Sequence, residues 1–172
     1  MLFKNRSPKI SFKTDNTIGK LLARYKSVKQ NKFNKCGVYQ LTQTAEQMLN
    51  TFERKILRRI YGQHKKGGRW RPRWNSELYS LYKEPNIVED IKIRRLRWAD
   101  HIVRKEEERI PKKVLNGNFY TTRPVGKPRT RWADVVQRDA LQLLGIRGWR
   151  RRAENRDEWR HLMREAKARK GL

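Results

Sequence analysis

Two short stretches of the chain combine the residue types that bind a polyanion. In residues 70–74, two tryptophans flank two arginines and a proline. Guanidinium groups suit phosphate oxygens, and indole rings give bases a surface on which to stack. This pattern predicts that Arg71 and Arg73 contact phosphate. Trp70 can stack on bases or cover a small core, and Trp74 is expected to cover the core.

Residues 123–132 form the second stretch. They hold four cations without an acid, together with two prolines and a glycine, so regular structure is not expected there. Proline fixes φ and lowers the entropy that is lost when such a loop is ordered on a partner. A solvated basic linker is the alternative interpretation. The cations expected to contact phosphate are Arg123, Lys127, Arg129 and Arg131.

A third group of cations lies in the centre of a predicted helix over residues 87–104. It forms a dense band with Lys92 at its start. Within this band we expect Arg94, Arg95 and Arg97 to contact phosphate as well.

The charge balance of the whole chain favours a polyanionic partner. Of 172 residues, 44 are Lys or Arg and 17 are Asp or Glu, which leaves a net charge of +27. A folded domain with this charge repels itself unless an anionic partner neutralises it. Nucleic acid is the first candidate and an anionic membrane surface the second. No membrane-spanning run or signal peptide is recognisable. Of the two candidates we predict nucleic acid and no membrane partner.

Residues that could form an active site or a metal centre do not occur in the required combinations. The lone Cys36 excludes an internal disulfide and a multi-cysteine zinc site. A structural role is predicted for His101, because no nucleophile or ligand partners it. Asp134 and Asp139 are five positions apart, so their side chains are expected on different faces of a helix. They are interpreted as surface charges or as partners of arginines. With no phosphate loop, nucleophile elbow or metal-holding aspartate pair, we predict no catalytic, metal or cofactor site.

The hydrophobic pattern predicts a mainly α fold, a small multi-helix basic domain with irregular loops. Only 36% of the residues are hydrophobic, so the core must be small. Apolar residues at three- and four-residue spacing define one face of each helix, and glycines follow two of the helices as stop signals. The predicted helices span residues 43–61, 75–82, 87–104, a short segment after Pro111, 132–144, and 149–168 with a break near Asn155.

Local signals add three expectations about these helices. A capping box from Thr44 to Gln47 is expected at the start of the first helix. The apolar stripe of that helix includes Met48 and Phe52, which are therefore expected in the core. After the break near residue 155, Asp157 is expected to cap the last helix.

Residues 1–42 are expected to form a loosely ordered segment, separate from the helical region at 43–172. The apolar residues between positions 18 and 25 can make one or two helical turns, a length that is marginal in isolation. The residue types at positions 38–41 alternate with the two-residue period of a short strand. No second clear strand follows to pair with it.

Six segments, together with Trp149, form a pattern more specific than charge. They are residues 52–62 (FERKILRRIYG), 70–79 (WRPRWNSELY), 93–104 (IRRLRWADHIVR), 110–115 (IPKKVL), 123–132 (RPVGKPRTRW) and 155–159 (NRDEW). Through them, the region from about 43 to 172 resembles the C-terminal region of endonuclease–reverse transcriptase polyproteins from arthropod non-LTR retrotransposons. The chain departs from this family at Asp100, usually a glycine, and at Trp74, more usually a tyrosine.

This resemblance implies a tail that accompanies a reverse transcriptase and binds element RNA or target DNA. In the family the polymerase palm lies upstream of this region, so its catalytic aspartates have no counterpart here. The resemblance further implies upstream reverse transcriptase domains as partners, and a location in the nucleus or in both nucleus and cytoplasm.

The beginning of the chain has a second resemblance. Residues 16–21 (NTIGKL) and 35–42 (KCGVYQLT) look like the start of a GIY-YIG nuclease segment. The second half of that motif, the following arginine and the later glutamate are not in place. We interpret residues 16–42 as a truncated nuclease segment, and no catalytic role is assigned to Tyr39.

These observations favour a basic nucleic-acid-binding fragment that is not itself an enzyme. One alternative is a fragment of an RNA-directed DNA polymerase or an endonuclease that is active only with missing domains. The other is a degenerate product of a mobile element without a selected function, which the junction near residue 43 favours.

Overall fold

The fold is an assembly of helices with one small β-hairpin, as given by a computed structural model that describes residues 14–32, 41–117, 126 and 130–169. The mainly α fold predicted from the sequence is confirmed. The elements in chain order are α1 (Thr14–Lys32), α2 (Gln43–Tyr61), β1 (His64–Lys66), β2 (Arg69–Arg71), α3 (Asn75–Tyr82), α4 (Ile87–Val103), α5 (Ile110–Asn116), α6 (Trp132–Leu144), α7 (Trp149–Glu154) and α8 (Arg156–Arg169).

Glycine and asparagine signals in the sequence set several of the helix ends. Gly62 follows α2 with a φ of 66°, and Gly145 follows α6 with a φ of 72°. Both values lie in the left-handed region, which glycine adopts without a steric penalty. At the start of α4, the Asn86 side chain accepts a hydrogen bond from the Glu89 backbone N–H at 2.9 Å. This bond satisfies one of the unpaired donors of the first turn.

Two of the predicted caps are wrong by two residues. The side chain that caps α2 belongs to Thr42, which accepts from the Ala45 N–H at 3.2 Å, and not to Thr44. Likewise α8 is capped by Asn155, whose Oδ1 accepts from the Asp157 N–H at 3.0 Å. In each case the capping residue precedes the helix, and its extended backbone lets its side chain reach the exposed N–H groups of the first turn. The side chain of a residue inside the first turn cannot reach them.

Helix α4 is the central element of the fold. Its first half contributes Ile87, Val88 and Ile91, which pack with Leu41 and Leu49. Its second half belongs to the largest core cluster, in which it meets α6, α7 and α8. The buried residues of this cluster are Ile93, Leu96, Ala99, Val103, Val136, Ala140, Leu144, Trp149, Ala153, Trp159, Met163 and Ala166.

A separate core cluster joins α1, α2 and α3. Its buried members are Tyr25, Leu57, Leu78 and Tyr82. Helix α1 is 19 residues long, so the prediction of one or two turns in this region is too short. The helix extends because Tyr25 finds buried partners on two later helices, which the local sequence does not reveal. Of the predicted strand at 38–41, residues 38–40 lie outside the described part of the chain.

A buried carboxylate on α2 connects this helix to three others. Glu53 is fully buried, and its Oε1 accepts from the Tyr25 hydroxyl at 2.9 Å and from Lys29 Nζ at 3.2 Å, both on α1. Its Oε2 accepts from the Tyr79 hydroxyl of α3 at 3.2 Å. The same oxygen accepts from the backbone N–H of Ile87, the first residue of α4, at 2.9 Å. The carboxylate is thus satisfied by four donors in a region that excludes water.

Lys29 completes this buried network on the other side. Its Nζ donates to the Pro85 carbonyl at 2.7 Å and to the Tyr82 hydroxyl at 3.4 Å. Burial, reinforced by the negative charge of Glu53, raises the pKa of Tyr79 to about 12. The phenol therefore remains a hydrogen-bond donor across the neutral range.

The buried face of α2 differs from the predicted apolar stripe. Met48 is 69% exposed and Phe52 is 52% exposed, so the expectation that both lie in the core is wrong. Helices α1 and α3 instead contact the face that carries Glu53 and Leu57. A charged residue takes a core position here because donors from three helices surround it.

None of the described helices has the length and apolar character needed to cross a membrane.

Replacement of Glu53 by alanine is predicted to destabilise the fold strongly. The change leaves the Lys29 charge and two hydroxyl groups buried without their acceptor, a loss of about 3–5 kcal/mol in the free energy of unfolding. Urea unfolding followed by circular dichroism measures this loss. The exposed Glu154 of α7 provides the control, because Glu154→Ala is expected to change stability by about 0.5 kcal/mol or less. Equal stabilities of the two variants would contradict the role assigned to Glu53.

Candidate nucleic-acid interface

The sequence stretch with interleaved cations and tryptophans forms a β-hairpin and the start of α3. Strands β1 and β2 pair antiparallel, with Lys65 opposite Trp70 and Lys66 opposite Arg69. Gly67 and Gly68 connect the strands with φ values of 58° and 79°. Positive φ at both central residues is the requirement of a type I′ turn, which glycine meets at little cost. The interpretation that no second clear strand follows the one predicted at 38–41 is therefore wrong, although β1 and β2 pair with each other.

The hairpin carries three exposed cations and an exposed tryptophan. Trp70 is 59% exposed, and Lys65 Nζ lies 5.9 Å from the centroid of its ring. Lys65, Lys66 and Arg69 are all exposed, and none of them forms an ion pair with an acid in the described residues. Their charges are thus available to an external anion, and Lys65, which lies opposite Trp70, shares the face of the hairpin that carries the indole. We call Lys65, Lys66, Arg69 and Trp70 the hairpin surface.

The two arginines after the hairpin surface have partners within the protein. Arg71 makes two hydrogen bonds to the Glu77 carboxylate, at 3.0 and 2.5 Å, and its guanidinium lies 5.4 Å from the centroid of the Trp74 ring. Arg73 Nε donates to the Tyr61 carbonyl at 3.4 Å. Both residues therefore hold the hairpin against α2 and α3, while the phosphate contacts predicted for them stay predictions.

Glu77 organises the start of α3. Besides pairing with Arg71, its carboxylate accepts from the Trp74 backbone N–H at 2.8 Å. These hydrogen bonds to the charged form lower the pKa of Glu77 to about 2. Trp74 itself is 66% exposed, so the expectation that it covers the core is wrong. Its ring instead stacks on the Arg71 guanidinium, which the Glu77 pair holds in place.

The cationic band of α4 is largely neutralised by internal acids. Arg94 forms an ion pair with Asp90 at 3.0 Å. Arg95 is only 1% exposed and forms an ion pair with Asp139 of α6. The prediction that Arg95 contacts phosphate is therefore wrong, because a fully buried guanidinium cannot reach an external ligand. Arg97 is exposed, as a phosphate contact requires.

The ion pair between Arg95 and Asp139 lies in the core between α4 and α6. Burial raises the pKa of Asp139, although the charge of Arg95 opposes this effect. The interpretation of Asp139 as the partner of an arginine is confirmed. Asp134 is exposed and accepts from the Arg131 backbone N–H at 2.7 Å, so the two aspartates do not share a site.

The basic loop is described only at its end. Arg131 is exposed and directly precedes α6. The other predicted phosphate contacts of this loop, Arg123, Lys127 and Arg129, lie outside the described residues.

Within the described ranges, no group of three or more His, Cys, Asp or Glu side chains could hold a metal ion. His101 is exposed, and its ring lies 5.5 Å from that of Trp98 with an interplanar angle of 31°. Trp98 is 40% exposed. The two rings form a tilted aromatic contact on α4.

No protein-family model, no curated protein and no solved structure matches the chain. Its function must therefore be argued from its own residues.

The carboxyl group of Glu77 is predicted to titrate with a midpoint of about 2 in the folded protein. Because the pKa lies below the value of about 4.3 in an unfolded chain, the pair with Arg71 adds stability above pH 4.3. That contribution is lost as the pH falls toward 2. An NMR titration of the side-chain carboxyl measures the midpoint directly.

Two variants test the cause of this shift. Arg71→Ala should raise the Glu77 midpoint toward 4.3, whereas Arg138→Ala, an exposed change on α6, should leave it in place. A midpoint near 4.3 in the unmodified protein would mean that the Arg71–Glu77 pair does not form in solution.

Proposed function

We propose that this chain is a nucleic-acid-binding module, and that the hairpin surface is one of its contact sites. The observation that carries the proposal is an exposed indole, Trp70, with Lys65 beside its ring. Two further exposed cations without a described acidic partner, Lys66 and Arg69, occupy the adjacent pair of positions in the hairpin. Phosphates of a strand can neutralise the cations while a base stacks on the ring. The net charge of +27 supports the same class of partner.

The resemblance to the C-terminal region of non-LTR retrotransposon polyproteins is consistent with this function. We propose that the module accompanies a reverse transcriptase and binds its RNA or its DNA target, without carrying the polymerase reaction itself. The proposal requires only that the surface cations be held in fixed positions. Ion pairs such as Arg71–Glu77 fix the base of the hairpin for this purpose.

Binding to nucleic acid is predicted to be tight at low salt and to weaken steeply as salt is added. Each phosphate that is neutralised releases counterions, so the logarithm of affinity should fall by about 0.7 per contact for each tenfold rise in salt on a single strand. Fluorescence anisotropy with hairpin RNA, single-stranded DNA and duplex DNA of equal length measures this slope. Heparin and vesicles of anionic phospholipid serve as competitors.

The competitors distinguish recognition from charge alone. Nucleic acid that is bound in the presence of excess heparin supports the proposal. Equal affinity for heparin and for every nucleic acid would mean that the protein attracts any polyanion by charge alone. Preferred binding to vesicles would mean that its partner is a membrane surface.

Variants of the hairpin surface locate the contact. Trp70→Ala should weaken binding to single strands by about 1–3 kcal/mol through the loss of base stacking. Ile110→Ala is the matched control, since Ile110 is 77% exposed and lies in α5, outside the hairpin. A loss of affinity that is the same in both variants would remove the hairpin surface from the proposed interface.

A further inference from the structure

A cleft of about 700 Å³ lies between the second half of α4 and the first half of α8. Two rows of basic side chains line it. Positions four and three residues apart on α4 supply one row, and positions four apart on α8 supply the other, so that each row follows one face of its helix. The basic residues are Arg97, His101 and Arg104 on α4, and Arg156, Arg160 and Arg164 on α8.

The positive charge of this arginine cleft exceeds its negative charge. Its acids are Asp100, which bonds to Arg104 at 2.8 Å, and Asp157, which lies 3.6 Å from Arg160. No ion pair with a described acid is found for the remaining arginines. These three side chains are Arg97, Arg156 and Arg164.

One further observation indicates that the cations of the arginine cleft lie close together. Burial, followed by the positive charges of Arg156 and Arg160, lowers the pKa of Arg104. The cations are therefore close enough to repel one another, and the repulsion is relieved when an anion enters.

The walls of the cleft strengthen its field. The buried side chains of Trp159 and Met163 also line it, with 2% and 7% exposure. Apolar walls lower the local dielectric constant, so charges of one sign in a cleft attract an anion more strongly than the same charges on a flat surface. The ring of His101, which lines the cleft, lies 5.5 Å from the ring of Trp98, and Trp98 is 40% exposed.

We propose that the arginine cleft binds a single nucleic-acid strand, with backbone phosphates on its arginines and an unpaired base on the Trp98–His101 pair. The proposal rests on the proposed nucleic-acid binding and adds a second site to the hairpin surface. A single strand fits this arrangement because its bases are exposed for stacking, whereas the bases of a duplex stack on each other.

The phosphate contacts are tested with the double variant Arg156→Gln/Arg164→Gln. Neither side chain has an acidic partner among the described residues, so the fold is expected to persist. With a DNA strand that carries hydroxyl groups at both ends, only backbone phosphates are available. The salt slope of binding should shrink by about 1.4, or about 0.7 for each lost contact.

The control for this measurement removes the same charge elsewhere. Arg138→Gln/Arg147→Gln alters exposed arginines of α6 and of the loop after it. The salt slope should be unchanged in this control. Equal slopes for the two double variants would overturn the proposal, while nucleic-acid binding by the unmodified protein would keep the proposed function intact. No binding by the unmodified protein would overturn both.

The base contact is tested with Trp98→Leu and two strands of equal length, one with bases and one with abasic sugars throughout. Affinity for the strand with bases should fall about 5- to 150-fold, as expected for the loss of one stacked base. Affinity for the abasic strand should not change, and this result also confirms that the variant is folded. Equal effects on both strands, or no effect on either, would contradict the base contact.

Discussion

The structure depends on a buried carboxylate that holds four helices together. Glu53 accepts hydrogen bonds from α1, α3 and α4, and it neutralises the buried Lys29. Asp139 plays the corresponding part in the other half of the fold, where it neutralises the buried Arg95 of α4. In a chain with a net charge of +27, self-repulsion opposes compaction. The two buried acids allow cations to enter the core, and the central helix α4 is fixed at its first residue and its middle.

This arrangement leaves the remaining cations on surfaces whose shape is fixed. The hairpin is held at its base by Arg71 and Glu77, so Lys65 keeps its position beside Trp70. The second half of α4 and the first half of α8 share the largest core cluster, and the arginine cleft lies between them. A ligand that binds either surface loses little affinity to the ordering of side chains and loops, because the scaffold is already ordered.

The helices could be predicted from the sequence because their signals are local. Apolar spacing and the glycines after α2 and α6 gave boundaries close to those observed. The interface could be predicted only in part, since burial depends on distant partners. Arg95 and Arg97 are two positions apart in one basic band, and only the location of Asp139, 44 residues away, distinguishes the buried arginine from the exposed one. The arginine cleft was missed for the same reason, since its two rows come from helices about 60 residues apart in the chain. The four-residue spacing of Arg156, Arg160 and Arg164, which places them on one helix face, was the local signal that could have indicated it.

Hydrogen exchange of the full chain, with and without a single-stranded oligonucleotide, tests the central claim most directly. Slower exchange on binding is expected in two places. The first is the hairpin at 64–71, and the second is the pair of helix segments at 97–104 and 156–164 that line the arginine cleft. The faces of α1 and α6 that carry exposed cations serve as internal controls and should be unaffected. Slowing that is spread evenly over all basic surfaces, or that omits both predicted sites, would contradict the account.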